Sequence, residues 1–327
     1  MKLSGMKLKL VPHGTTIDFL GHWKVSFGLS MVLMVASVVA FLSMGLNFGI
    51  DFRGGTSIRT EATQPVDVAA YRGALSELEL GDVAISEVFD PTFREDQNVA
   101  MIRVQAQEGQ ESVTPEVLNQ VEQALRVLDP TLRFSSVESV GPKVSGELIR
   151  SAIIAVVAAL AAVLFYIWLR FEWQFALGAV AALVHDVVLT IGLFSVLQIR
   201  FDLAIIAAIL TIVGYSLNDT VVVFDRMREN LIKFKKRALI EVMNLSLNET
   251  LSRTVMTSVT TLLALVSLFV LGGDVIRGFV FAMIWGVIVG TWSSVFVAAV
   301  VVKRLGVKRD WSKTDSEKGG TQFSTES

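Results

Sequence analysis

The chain has no cysteine and only three histidines among its 327 residues. The absence of cysteine excludes disulfides and thiolate metal sites, and His13, His22 and His185 are too far apart in sequence to form a zinc motif. The sequence also lacks a G-x-G-x-x-G or P-loop pattern and a basic stripe with interleaved aromatic residues. We therefore expect no metal, no cofactor and no nucleic acid as a ligand.

Apolar sequence, by contrast, is abundant: 52% of the residues are hydrophobic, and the mean hydropathy is +0.58. A bilayer core of about 30 Å is crossed by about 20 apolar residues in a helix. Six segments meet this requirement or nearly so, and they predict spans at 25–45, 148–169, 174–197, 203–225, 253–271 and 279–302. The first is predicted to be an uncleaved anchor, since it is too long for a signal peptide and no A-x-A site follows. The last contains G-x-x-x-G at 286–290, which permits close helix approach.

The charges are distributed unevenly along the chain. Residues 46–150 hold 17 acidic and 9 basic residues, and the rest of the chain holds 14 and 20. Lysine and arginine are concentrated before the first span, after the fourth and after the sixth, which predicts that these parts are cytoplasmic. The predicted cytoplasmic parts are the N-terminal segment 1–24, an amphipathic surface loop at 226–252 and a disordered tail at 303–327. The 46–147 segment is then periplasmic.

The 46–147 segment reads as a folded α+β domain. Two amphipathic helices, "PVDVAAYRGALSELEL" and "TPEVLNQVEQALRVLD", alternate with four stretches of strand character, and Thr114 is a plausible cap for the second helix. The order βαββαβ is typical of a ferredoxin-like sheet. The predicted fold class is therefore an α-helical polytopic membrane protein with six transmembrane helices and one ferredoxin-like domain inserted between the first two.

Asp219 lies inside the apolar fourth span, where an unpaired charge costs at least about 2.5–3.5 kcal/mol to insert. Tyr215 and Ser216 precede it on the same helix face, and Asn218 flanks it. We expect Asp219 to carry a proton, with this polar face supporting it. The alternative is a hydrogen-bonded structural carboxylate.

Two more polar groups fall in predicted spans. His185 and Asp186 lie near the middle of the third span, either as a satisfied core pair or as part of a proton path. Arg253 opens the fifth span, either snorkelling to the interface or pairing with Asp219. A hydroxyl-lined stripe follows Arg253 at helical spacing and consists of Thr257, Thr260 and Thr261. Burial favours a neutral acid and a nearby guanidinium favours its charged form, so movement of Arg253 would load or release a proton.

Three motifs resemble the SecF family of bacterial protein-export membrane subunits. They are "LNFGIDFRGGTSI" after the first span, "VHD" in the third and "GYSLNDTVVVFDRMREN" in the fourth. The resemblance covers nearly the whole chain and includes a signature at the start of the 46–147 segment, formed by Gly49, Asp51, Arg53, Gly54 and Gly55. These glycines are interpreted as hinges or as turn residues.

The resemblance implies a multi-pass protein of the bacterial inner membrane with resistance-nodulation-division architecture. It implies a heterodimer with SecD, often with YajC, that joins the SecYEG channel and uses the proton motive force to draw exported polypeptides outward. Protons, membrane lipid and the exported chain are the implied ligands, and no enzyme activity is expected. Asp219 matches the family's essential aspartate, Arg253 matches its partner arginine, and the remaining proton-path carboxylate belongs to SecD.

Three other functions remain as alternatives. The first is a proton-driven exporter of small molecules. A single small outer domain argues against it, because such a domain provides little surface to line a drug-binding pocket. The second is an intramembrane aspartyl protease that uses Asp186 and Asp219 as a dyad. Asp219 lies in S-L-N-D rather than the G-x-G-D of that class. The third is a passive scaffold that only stabilises its partners.

Overall fold

The computed structural model describes residues 15–78, 80–81, 83–88, 90, 93–94, 96–105 and 113–307. The first 14 residues and the predicted disordered tail beyond 307 lie outside these ranges. In chain order the elements are α1 (Trp23–Met44), α2 (Ile50–Arg53), β1 (Gly55–Ala62), α3 (Val68–Ser76), β2 (Val83–Val88), β3 (Asn98–Val104), α4 (Pro115–Arg126), β4 (Arg133–Val140), α5 (Pro142–Arg170), α6 (Trp173–Leu197), α7 (Leu203–Lys233), α8 (Leu239–Leu271), α9 (Asp274–Ser293), a π-helical turn (Ser294–Ala298) and α10 (Ala299–Leu305).

Among the described residues, six helical segments are long and apolar enough to cross a membrane, as predicted. They are α1, α5, α6, α7, α8 and a sixth span, which comprises α9, the π-helical turn and α10. The helices α6 and α7 and the sixth span are the most deeply buried, whereas α1 and α5 expose most of their apolar side chains. Because α1 and α5 are apolar on all sides, lipid or a partner helix can cover them.

The predicted G-x-x-x-G motif brings α9 unusually close to α7. A Cβ atom added at Gly286 would lie 2.2 Å from Ile212, and one added at Gly290 would lie 3.1 Å from the Cβ of Ser216. Larger residues at either position would push the two helices apart. The close approach places the next turn of the sixth span deep in the bundle.

An α/β domain lies between α1 and α5. Its four antiparallel strands have the order β2-β3-β1-β4, and α3 and α4 pack on one face over a core that includes Ile58, Ile102 and Leu125. The helices begin where the sequence supplies caps: Asp67 accepts from two backbone N–H groups of α3, and the predicted cap Thr114 accepts from the third residue of α4. The predicted element order is confirmed within the described ranges.

The 226–252 segment differs from its prediction as a helix on the membrane surface. α7 continues to Lys233 and α8 begins at Leu239, so the segment forms the end of a long helical hairpin. Its apolar residues pack into the bundle core instead of a lipid surface; they are Met227, Leu231, Val242, Met243 and Leu247. The Asn230 side-chain amide also donates to Ser246 at 3.0 Å and to Glu249 at 2.6 Å. The amphipathic pattern is present, but its apolar face packs against other parts of the protein and not against lipid.

Candidate functional site

The first polar cluster in the bundle surrounds Asp186 of α6. Its Oδ1 lies 2.9 Å from Nδ1 of His185. Its Oδ2 accepts hydrogen bonds from the hydroxyls of Ser216 on α7 and Ser293 on α9. All four side chains are fully buried. Asp186 therefore joins three helices with both of its oxygens occupied, whereas Nε2 of His185 is buried without a hydrogen-bond partner in the described residues.

Asp219 lies on the same helix as Ser216, and its surroundings are poorer in donors. Its Oδ1 accepts from the Thr254 hydroxyl of α8 at 2.6 Å. Its Oδ2 is buried and has no partner in hydrogen-bond geometry among the described residues, although the Ser294 hydroxyl is near enough to act on the carboxylate as a weak donor. The residue is 8% exposed. One oxygen of Asp219 is thus available to a proton or a water molecule.

The π-helical turn of the sixth span connects the two carboxylates. Ser293, which ends α9, donates to Asp186 at 2.8 Å. Ser294, which begins the π-helical turn, lies 3.3 Å from the Thr220 hydroxyl, and Thr220 directly follows Asp219. Both serines are fully buried. A single π turn widens the helix and occurs often at functional sites. Here adjacent serines reach both carboxylate sites.

The hydroxyl stripe noted in the fifth span points away from the bundle interior in this structure. On α8 the buried polar residues are Thr254 and Ser258, and Ser258 accepts from the Tyr215 hydroxyl at 3.3 Å. The predicted stripe lies one residue away: Thr257 and Thr260 are exposed and Thr261 is half-buried. Spacing defines a helical face, but it does not say where that face points, and one residue rotates the face by about 100°.

Arg253 also lies on this outward face. It is exposed, and among the described residues no salt bridge joins it to Asp219, on which it acts only at longer range. The predicted ion pair is therefore absent from this conformation. Asn218, predicted to support Asp219, is exposed as well.

The glycine signature fastens the α/β domain to the start of α7. The Gly49 N–H donates to the Phe201 carbonyl at 2.8 Å, and the Asp51 carboxylate accepts from the N–H of Leu203, the first residue of α7, at 3.1 Å. Gly54 and Gly55 have φ angles of 72° and 121°, which glycine adopts most readily. They turn the chain from α2, which ends at Arg53, into β1, so they serve as turn residues in this structure.

Sequence reasoning missed three residues of the site: Thr254, Ser293 and Ser294. Thr254 adjoins Arg253 but lies off the stripe at i+4, i+7 and i+8 from that arginine, so helical spacing from Arg253 does not select it. The serine pair in "GTWSSVF" interrupts an apolar run just after the G-x-x-x-G motif. Two consecutive hydroxyls there were the available signal, since polar groups in a span usually face other helices.

Comparison with known proteins gives consistent matches. Residues 120–308 match the family described as "Protein export membrane protein SecD/SecF, C-terminal", and residues 39–66 match the SecD/SecF GG motif. Protein translocase subunit SecF from Cereibacter sphaeroides is 65% identical over 317 residues, covering 97% of this chain and 98% of the relative. SecF from Rhodobacter capsulatus is 62% identical over 315 residues, covering 94% and 95%.

Two solved structures of SecDF are also similar. The crystal structure of SecDF from Thermus thermophilus, called a translocon-associated membrane protein, has a TM-score of 0.79 and 34% identity over 89% of this chain. SecDF in a super-membrane-facing form has a TM-score of 0.65 and 33% identity over 93%. The chain spans only 39% and 40% of those longer proteins. On the family match and the near full-length identity to SecF subunits, the chain belongs to the SecF family of protein translocase subunits.

Proposed function

We propose that this multi-pass membrane subunit uses the proton motive force to promote polypeptide translocation, with Asp219 as the group that exchanges the proton. The observation that carries the proposal is the half-satisfied Asp219 carboxylate, buried in the bundle with a single hydrogen bond from Thr254. A buried acid in a span is expensive and usually functional. Its bare oxygen can take up a proton without first breaking a hydrogen bond.

The helix that carries Asp219 provides a route from the proton to the α/β domain. Sixteen residues separate Asp219 from Leu203, which is about 24 Å along a helix. At that end the N–H of Leu203 is held by Asp51, just before β1. A shift of α7 on protonation would therefore pull directly on the segment where the domain begins.

The energy available from one proton limits this mechanism. Moving one charge across 100 mV yields about 2.3 kcal/mol, whereas changing a two-state ratio from 1:99 to 99:1 needs about 5.5 kcal/mol. The two positions of the α/β domain must therefore be nearly balanced, or more than one proton must move in each cycle.

The four residues predicted for proton transfer receive different roles. Asp219 exchanges the proton, and Arg253 controls it from the outward face by approaching or leaving. Asp186, which is paired with His185, accepts from the hydroxyls of Ser216, three residues before Asp219 on α7, and of Ser293, which precedes Ser294. Their contribution to the proton path is thus to position these hydroxyls.

The exposed polar side chains of α8 support a partner within the membrane. Arg253, Thr257 and Thr260 face outward, and an exposed charge in a span is costly unless another helix covers it. We assign this face to SecD, which is joined to SecF in the similar SecDF structures. SecYEG, the exported polypeptide and, in some species, YajC complete the proposed assembly.

We further propose that the subunit lies in the bacterial inner membrane, with both termini cytoplasmic and the α/β domain periplasmic. The lysine and arginine bias of the short loops supports this orientation. The sheet order β2-β3-β1-β4, with both helices on one face, supports a ferredoxin-like domain.

The rival functions have less support from the site. An aspartyl protease dyad shares a proton between two carboxylates, but Asp186 is occupied by His185, Ser216 and Ser293, and its hydrogen bonds do not include Asp219. We therefore propose a transport subunit without enzyme activity. A small-molecule exporter would use the same proton chemistry, so only its cargo distinguishes it.

The substitution Asp219→Asn tests the proposal. It keeps the shape of the side chain and removes its titration, so we expect proton-gradient-dependent export to fall at least about tenfold with unchanged protein level and SecD association. Asp225→Asn is the matched control, because Asp225 lies on the same helix but is half-buried and pairs with Arg170. Normal export by Asp219→Asn would refute the proposal. Normal export with new sensitivity to amphiphilic drugs would favour the small-molecule exporter.

A further inference from the structure

A cavity separates the bare face of the sheet from the end of the membrane bundle. The helices α3 and α4 cover one face of the sheet, and the opposite face turns toward the spans. The cavity has a volume of about 420 Å³. Its walls combine polar sheet residues with aromatic and charged residues from the ends of the spans, and they include Glu87, Met101, Arg103, Arg200, Phe269 and Phe279.

The cavity contains an arginine that forms no salt bridge among the described residues, although the Asp202 carboxylate also lines the cavity. Arg103 of β3 has no salt bridge with any described residue, and its Nε is buried without a hydrogen-bond partner. By contrast, Nε of Arg200 pairs with Asp202 at 3.1 Å. Burial, followed by repulsion from Arg200 and Arg53, lowers the pKa of Arg103 below its ordinary value, against a smaller opposing attraction from Asp202. Removing a guanidinium from water without a partner is unfavourable, so an anion in the cavity would relieve this cost.

The other wall of the cavity is apolar and continues toward the lipid. Four apolar residues line this wall: Leu197 at the end of α6, Phe269 near the end of α8, and Phe279 and Phe281 near the start of the sixth span. Leu197 is 49% exposed, and Leu271 at the end of α8 is 73% exposed. The cavity therefore has a basic part beside the sheet and an apolar part that is continuous with the outer surface of the spans.

We propose that this cavity binds the phosphodiester headgroup of an anionic phospholipid from the leaflet on the side of the α/β domain. The planar guanidinium of Arg103 matches phosphate oxygens and can donate two hydrogen bonds to them. The acyl chains leave along the ends of α6 and α8. Basic pockets beside spans are known to hold lipid headgroups. The site needs no proton chemistry and stands apart from the role of Asp219.

Native mass spectrometry of the full chain in detergent tests the proposal. Three probes separate the sources of the phosphate: phosphatidylglycerol, diacylglycerol with the same acyl chains, and glycerophosphoglycerol with no acyl chains. We expect retention of phosphatidylglycerol only, and binding about tenfold weaker in Arg103→Gln, because the variant loses charge-assisted hydrogen bonds. Arg72→Gln is the matched control, since Arg72 is exposed on α3, on the helical face of the sheet.

Several outcomes would overturn the proposal. Equal lipid binding by Arg103→Gln and the wild-type chain would remove Arg103 from the site. Equal retention of glycerophosphoglycerol would point to a soluble phosphate, and equal retention of diacylglycerol would point to a purely apolar site that does not recognise the phosphate. A photoactivatable phosphatidylglycerol on the wild-type chain needs no variant. Labelling of β3 and the start of the sixth span supports the proposal, and labelling confined to other segments contradicts it.

Discussion

The α/β domain and the membrane bundle each bury an aspartate, and they satisfy it very differently. In the domain, Asp129 is 3% exposed and accepts from the backbone N–H and hydroxyl of Thr131 at 2.8 and 2.7 Å and from the Gln64 N–H at 3.1 Å. In the bundle, Asp219 is 8% exposed and accepts one hydrogen bond from the described residues, that of Thr254. Burial is similar, so burial alone does not distinguish the two.

The difference teaches that the number of hydrogen-bond donors, rather than depth, separates a carboxylate fully engaged by the fold from one with an oxygen that no described residue contacts. Every donor aimed at a carboxylate stabilises its charged form and ties it to the fold. Asp129 holds the turn between α4 and β4 together, whereas Oδ2 of Asp219 accepts no hydrogen bond from a described residue. Asp186 resembles Asp129 in this respect although it lies in the bundle, because His185, Ser216 and Ser293 occupy it.

Replacing the saturated carboxylate of the domain should have the largest effect on stability. Asp129→Ala leaves the donors of Thr131 and Gln64 without an acceptor, so we expect a loss of about 2–3 kcal/mol in the free energy of unfolding of the domain. Hydrogen exchange of β1, β4 and α4 in the full chain measures it. Glu116→Ala, at an exposed position on α4, is the control. Unchanged hydrogen exchange in Asp129→Ala would show that the hydrogen bonds to Asp129 do not stabilise the domain.

The same carboxylate predicts an acid limit for the domain. Burial opposes ionisation of Asp129, but hydrogen bonds from Thr131, Gln64 and Thr63 outweigh it and hold its pKa below the ordinary 3.8. Its contribution is therefore complete above about pH 4 and is lost as the pH falls through the lower pKa of the folded state. Acid unfolding of wild type and Asp129→Asn should differ above this range and converge below it. Parallel curves at every pH would contradict the assignment.

Within the bundle, exchanging the two aspartates for asparagine should separate stability from function. Asp186→Asn disturbs three buried hydrogen bonds, each worth about 0.6 kcal/mol on average inside membranes, so we expect a loss of about 1–2 kcal/mol. Asp219→Asn disturbs one and should lose less than half as much while abolishing proton-driven export. Thermal unfolding in detergent gives both values. A larger stability loss in Asp219→Asn than in Asp186→Asn would reverse the comparison.

The smallest expected effect distinguishes neighbouring threonines of α8. Thr254→Val removes the single donor to Asp219 and should reduce export severalfold, with a change in stability below about 1 kcal/mol. Thr257→Val alters an exposed hydroxyl bonded only to the backbone of its own helix and should leave the Asp219 site unchanged. Export assays on matched protein levels measure both. A reversed ranking would show that the outward face of α8, which we assign to SecD, matters more for export than the contact of Thr254 with Asp219.

Much of the architecture could be predicted because it depends on local patterns. Long apolar runs predicted all six spans, and period-two and helical spacing predicted the element order of the α/β domain. Asp219 was recognised because an acid in a lipid-crossing helix is conspicuous wherever that helix packs. The 226–252 segment was misplaced because an amphipathic face needs an apolar partner, and the sequence does not say whether that partner is lipid or another helix.

By itself, the sequence determined which helices cross the membrane, where the domain is inserted and which acid lies deepest in the fourth span. These follow from hydropathy and periodicity, which act along a single segment. Only the tertiary structure decided that Thr254 and not Arg253 faces Asp219, and that Ser293 donates to Asp186 while Ser294 contacts Thr220 beside Asp219. The rotation of a helix about its axis is set by packing against its neighbours, here the close contact of Gly286 and Gly290 with α7.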